Sequence, residues 1–133
     1  MLKSELREIF LARRRALSPA ERDEKSRRIA DVFFQNFDLK SVRFLHCFLP
    51  IERLNEIDTR LILRRVWQDF PLIETLVPRV NTRTNDIESL KFTPATELIQ
   101  NNWQILEPAH DEAVESVKID LVLVPLLCFD RKG

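Results

Sequence analysis

The chain contains a single glycine, Gly133, and it is the last residue. Average usage near 7% would put roughly nine glycines in a chain of this length. Glycine supplies the positive-φ turns and the close backbone approaches that other residues resist. Its absence from every earlier position excludes the motifs built on it: the P-loop, the Rossmann dinucleotide fingerprint and the nucleophile elbow. A nucleotide bound by these residues has to be held by side chains, because the usual backbone cradle is not there.

The chain is long enough for one domain with one core. Hydrophobic residues make up 44% and charged residues 32%, an ordinary globular balance. Lys and Arg total 21 and Asp and Glu total 21. That balance argues against nucleic acid as a partner, since phosphate-backbone binding draws on a clustered cationic excess. No run reaches the ~20 apolar residues that span a bilayer. Met1 to Glu5 leads straight into a charged pattern without the apolar stretch of a signal peptide. Cys47 and Cys128 form neither a CxxC nor a disulfide framework. These features together predict a cytoplasmic protein with no membrane partner.

Periodicity predicts the elements. Leu2, Leu6, Ile9, Phe10 and Leu17 recur at helical spacing. Ser18-Pro19-Ala20-Glu21 reads as a capping box with proline at the first helical position. A second helix is predicted to about Phe37, turning Ile29, Val32, Phe33 and Phe37 inward. Val42–Leu49 reads as a strand ended by Pro50. A third helix capped by Asp58 or Thr59 runs to about Asp69, with Leu61, Ile62 and Val66 inward. Leu72–Val77 and Ile87–Phe92 read as further strands around the polar loop Asn81–Asp86, and Ala95–Gln100 as a short helix or turn. Ile119–Val124, a nearly continuous apolar run, predicts a central strand covered on both faces. The order implies an α/β three-layer α/β/α sandwich with a mostly parallel open sheet.

Few residues offer chemistry. His46 and Cys47 point to opposite faces of a strand, and neither they nor His110 and Cys128 have the spacing of a zinc site. Lys3, Arg7 and Arg14 share a helix stripe next to Arg13 and Arg15, and such a stripe can hold phosphates or simply be a solvated face. Glu56 sits in the loop after the first strand, at the sheet end where α/β proteins bind ligands, and can accept hydrogen bonds from a heterocycle. Asp58 and Thr59 have a capping role. Asp120 opens the last apolar strand and reads as structural, whereas Asp130 falls at its ligand-binding end.

The pieces together resemble the 5-formyltetrahydrofolate cyclo-ligase family. Lys3-Ser4-Glu5-Leu6-Arg7 is similar to its K-x-x-L-R, and Arg13 to Ser18 to its R-x-x-(L/M)-S, with Glu21-Arg22 and Ser26 following. Phe48-Leu49-Pro50 and Glu56-Ile57-Asp58-Thr59 resemble its strand end and E-(I/V)-x-T element. Val77-Pro78-Arg79-Val80, Leu90-Lys91-Phe92 and Ile105-Leu106-Glu107-Pro108 match further elements in order. Ile119 to Pro125 and Phe129 to Gly133 resemble (I/L)-D-L-x-(L/F)-x-P-x-x-x-F-D-x-x-G. Leu126 stands where the family commonly has glycine, and two extra residues precede Glu56.

The resemblance implies an enzyme that uses ATP and Mg2+ to cyclise 5-formyltetrahydrofolate to 5,10-methenyltetrahydrofolate, releasing ADP and phosphate. It implies that Lys3, Arg7 and Arg13 contact ATP phosphates, that Leu49 packs on the folate and that Glu56 bonds its pterin ring. It names no catalytic side chain and no metal ligand in this chain. Family members continue past the final glycine with a Gly- and Tyr-rich segment that leads to acidic magnesium ligands. Residues 1–133 are thus expected to be a single α/β domain, the N-terminal two-thirds of the fold. Two other readings stay open: a non-catalytic folate- or nucleotide-binding remnant, and a phosphate-handling α/β domain without folate specificity.

Overall fold

The computed structural model describes residues 1–132; Gly133, the end of the F-D-x-x-G match, lies outside them. Helices α1 (Lys3–Arg15) and α2 (Pro19–Asn36) precede strand β1 (Phe44–Cys47), helix α3 (Arg60–Asp69), β2 (Glu74–Val80) and β3 (Ile87–Lys91). The short strands β4 (Leu98–Gln100), β5 (Leu106–Pro108), β6 (Ala113–Val114) and β7 (Leu121–Leu123) follow, with 3-10 turns at Glu52–Leu54 and Ser116–Lys118.

The sequence-level α/β class with an open sheet is what the chain forms. Five strands run in the order β6-β3-β2-β1-β7. The β2–β1–β7 half is parallel, and β3 and β6 join antiparallel. Asn81–Asp86 is too short for a parallel crossover, which takes a dozen or more residues, so β2 and β3 form a hairpin. In place of glycine, positive φ falls on Asn55, Asn85 and Gln104 among the described residues. Asparagine tolerates the left-handed region better than most side chains.

The connection from β1 to β2 runs through α3, whose Ile62, Leu63 and Val66 pack with Leu45, Cys47 and Val77 in the main core. Helix α2 lies beside α3. Arg65 stacks 4.3 Å from the Phe34 ring centre, and the Phe34 and Phe70 rings lie parallel at 6.2 Å. Burial of Leu45, Leu63, Leu76, Leu90 and Val66 is complete. The β4–β5 pair packs against β2, an interior strand, and therefore lies over a face of the sheet.

Several sequence expectations shift. The α2 capping box forms as read, with Ser18 Oγ accepting from the Glu21 N–H and the Glu21 carboxylate from the Ser18 N–H. The buried stripe of α2, however, is Ser26, Ala30 and Phe33. Ile29, Val32 and Phe37 are exposed, because the stripe is rotated by one position. The apolar face of α1 buries no residue at all. Strand β2 starts at Glu74, leaving Leu72 in solvent. Residues 98–100, expected as helix or turn, pair with β5. The run Ile119–Val124 was expected to be a central strand, yet β7 is the edge of the described sheet, with Val122 49% and Val124 65% exposed. An apolar run reports the wish to be covered; it does not report how many neighbours the strand has.

Candidate functional site

A cleft of about 270 Å³ opens at the carboxyl ends of β1 and β7. Phe48 leaves β1 into it, and Leu123 to Leu126 leave β7 along it. The chain continues from β1 to β2 on one side, while β7 lies on the other. Ligands of α/β sheets bind where neighbours diverge in this way. Glu56, Ile57, Thr59 and Ile62 form a further wall, and Arg14 of α1 and Ile29 of α2 close it. The exposure of Ile29 is its exposure to this cleft.

Glu56 is the buried acid of the site, 9% exposed. Its Oε2 accepts a 2.8 Å hydrogen bond from the Ile51 N–H across the 3-10 turn. Its Oε1 stands 3.9 Å from Arg14 Nη2, too far for a hydrogen bond. Arg14 is fixed independently, its Nε donating to the Leu54 carbonyl at 2.9 Å.

The loop is clamped from α2. Arg22 Nε donates to the Glu56 carbonyl at 2.5 Å, and its Nη2 lies 3.4 Å from Glu52. Ser26 Oγ accepts from the Asp58 N–H at 2.8 Å while donating to the Arg22 carbonyl. Asp58 is half-buried, which raises its carboxyl pKa, but hydrogen bonds from Arg60 outweigh this and hold it below the ordinary value. Asp58 Oδ1 accepts from the Arg60 N–H in a cap-like bond. Thr59 occupies the cap position, yet its hydroxyl donates to the Phe48 carbonyl at 2.5 Å and so ties α3 to the end of β1.

The other sequence-level candidates are dispersed. Lys3 and Arg7 are exposed on the same α1 stripe as Arg14. At 1.5 Å per residue they lie about 17 and 11 Å from Arg14 along the helix axis. Arg13 is off that stripe by about 100°, with its guanidinium 5.1 Å from the Phe10 ring centre. Leu49 is half-buried against the core, and the neighbouring Phe48 lines the cleft instead. Asp130 lies outside the cleft lining, and its Oδ1 accepts from the Lys132 N–H. Asp120 accepts from the N–H groups of Arg43 and Phe44, a structural clamp. His46 Nδ1 meets Ser89 Oγ at 3.1 Å, and burial pushes its pKa down. His110 is bound to the Lys91 carbonyl and the Glu112 N–H. Burial pushes the Cys47 thiol up to about 12.

Arg14 is what the sequence reading left among phosphate-stripe candidates. Its turn toward Glu56 depends on Asn55, whose amide donates to the Arg14 and Leu17 carbonyls at 2.9 and 3.0 Å and seats the end of α1 on the loop. No local pattern announces a contact across forty residues.

A model of the 5-formyltetrahydrofolate cyclo-ligase family matches residues 1–133. The chain belongs to that family. A mitochondrial 5-formyltetrahydrofolate cyclo-ligase of Arabidopsis thaliana is 29% identical over 131 residues, covering 90% of this chain and 47% of that protein. The Mus musculus 5-formyltetrahydrofolate cyclo-ligase is 24% identical, covering 99% and 64%. This chain thus spans between about half and two-thirds of the length of these relatives. The NMR structure of Aquifex aeolicus 5,10-methenyltetrahydrofolate synthetase superimposes with a TM-score of 0.81 at 28% identity, covering 100% of this chain and 65% of that one. A Mycoplasma pneumoniae 5,10-methenyltetrahydrofolate synthetase shares the fold at a TM-score of 0.72 and 21% identity, covering 98% and 68%.

Proposed function

We propose that this chain supplies the folate-binding cleft and the nucleotide-facing helix of an ATP-dependent 5-formyltetrahydrofolate cyclo-ligase. The observation that carries this reading is the buried Glu56, one carboxylate oxygen anchored by Ile51 and the other open to an apolar cleft at the ligand end of the sheet. A flat heterocycle with ring N–H and amino donors suits that arrangement.

In this reading ATP phosphorylates the formyl oxygen, the neighbouring amine attacks the activated carbon, and phosphate leaves as the methenyl ring closes; ADP is the other product. Such chemistry depends on positioning and charge neutralisation more than on a protein nucleophile. Glu56 orients the pterin, Leu49 backs the loop beneath it, and the Phe48 and Ile57 side chains keep water from the reacting carbon. The Lys3–Arg7 stripe leads outward from the cleft along α1 and neutralises the triphosphate, with Arg13 contributing from the adjoining face. Among the described residues no three His, Cys, Asp or Glu side chains gather as a metal site requires. In this reading Mg2+ would accompany the nucleotide and neutralise phosphate charge, its protein ligands being the acidic residues that the family carries past the final glycine.

Residues 1–133 are read as about the N-terminal two-thirds of a single α/β domain. The partners are small molecules, folate and ATP, and a balanced charge gives nucleic acid no footing. No helix of the described residues is long and apolar enough to cross a membrane. Two free cysteines accord with a reducing, cytoplasmic setting. The test is an assay with ATP, Mg2+ and 5-formyltetrahydrofolate, following the methenyl product by its near-ultraviolet absorbance. ATP-dependent product is expected. No product with folate binding intact would leave a binding-competent chain and overturn the catalytic reading.

A further inference from the structure

Glu56 and Arg14 face each other across a gap. The carboxylate Oε1 and the guanidinium Nη2 are 3.9 Å apart, and neither has a hydrogen-bond partner among the described residues. Both side chains line the cleft, and both are largely buried, at 18% and 11% exposure for Arg14 and Glu56. Each is held by its other end: Arg14 through Nε to the Leu54 carbonyl, Glu56 through Oε2 to the Ile51 N–H. The wall therefore offers an acceptor and a donor side by side, preset and unsatisfied. Both atoms face the open cleft, where a ligand edge with the opposite order, a donor beside an acceptor, would pair with the two at once.

Resting on the folate reading above, we infer that Arg14 is a specificity-determining residue that recognises the 4-oxo group of the pterin while Glu56 accepts from N3–H and the 2-amino group. The 2-amino-4-oxo edge presents N3–H next to the C4 carbonyl. The N3–H reaches Glu56 Oε1, the carbonyl oxygen accepts from Arg14 Nη2, and the spare lone pair of Oε2 serves the 2-amino group. A 2,4-diamino edge reverses the order at these two atoms. Its N3 is a bare acceptor against the carboxylate and its 4-amino group a donor against the guanidinium. A site built to pair polar groups rejects the analogue that leaves them unpaired. Arg14 on α1 therefore selects the 4-oxo over the 4-amino ring at the same cleft where Glu56 binds it.

The test is equilibrium binding of folic acid and its 2,4-diamino analogue to the wild-type chain, Arg14→Gln and Arg14→Lys, with no turnover required. The wild type is expected to prefer the 4-oxo ligand. Arg14→Gln is expected to shrink that preference by about ten- to hundredfold, the worth of one charge-assisted hydrogen bond. Arg14→Lys keeps a point charge without the fork and is expected to restore part of it. The seat of α1 on Asn55 uses main-chain carbonyls and survives both substitutions. An equal loss for both ligands would show that Arg14 acts only by holding the Leu54 loop, and overturn the inference. Unchanged binding of both would overturn it too. Failure of the wild type to bind either pteridine would instead sink the folate reading, and the inference with it.

Discussion

Asn55 is the hinge pin of the site, and replacing it has a calculable effect. Its backbone sits at φ 51°, in the left-handed region, and its amide donates to two carbonyls at the end of α1. Asn55→Ala removes both hydrogen bonds, at about 1 kcal/mol each. It also places a Cβ without local hydrogen bonding in the left-handed region, at roughly 1 kcal/mol more. The total is about 3 kcal/mol, or roughly a hundredfold in an equilibrium constant. Because α1 buries no residue and its other side-chain bond to this loop is the one from Arg14 Nε to the Leu54 carbonyl, the cost is expected to appear as local release and not as global unfolding. Native-state hydrogen exchange reads this directly. Protection of the α1 amides should fall by roughly a hundredfold, and that of β1 and β2 should stay as it was. Asn55→Gly keeps the backbone geometry without strain and should lose about thirtyfold, the share of the two hydrogen bonds. Unchanged α1 protection, or an equal loss in the core strands, would refute the reasoning.

Other expectations follow from the same contacts. Leu63→Ala, at a fully buried position, should cost about 2–5 kcal/mol in denaturant unfolding. Lys3→Ala or Arg7→Ala should raise the KM for ATP with little change in folate affinity, and an unchanged KM would return the stripe to a solvated face. Hydrogen bonds from the Phe44 and Arg43 N–H groups hold the Asp120 carboxyl below its ordinary 3.8. The stabilisation this gives is present above that value and lost as pH falls toward the folded-state pKa. Asp120→Asn should therefore flatten the acid limb of stability against pH, a change that denaturation midpoints would register. Cys128 is exposed while Cys47 is buried with its thiol pushed up to about 12. One thiol should thus react quickly with a disulfide reagent at neutral pH, and the second only after unfolding.

The elements with strong local signals were legible in the sequence. The Ser18–Glu21 box announces α2, and the aromatic and branched run Val42–Leu49 announces the shorter strand β1. The position of Glu56 was legible too, since a residue soon after a parallel strand falls at the carboxyl end of the sheet, where the cleft opens. What was not legible depended on partners far along the chain. Ile29, Val32 and Phe37 looked as apolar as Phe33, but α3 and β1 decide which stripe of α2 is covered. The edge position of β7 follows from pairing with β1, seventy-odd residues away, and not from its own run. Arg14 shares periodicity with Lys3 and Arg7, and only the Asn55 contact separates it from them.

The central claim is that the cleft at the ends of β1 and β7 binds folate through Glu56. Calorimetric titration of 5-formyltetrahydrofolate into the wild type and Glu56→Gln tests it directly. The account predicts a measurable isotherm for the wild type, at least tenfold weaker in the variant, with MgATP binding unaffected. Equal folate affinity in the two proteins would contradict it, because the buried carboxylate would then be holding its own loop and nothing else.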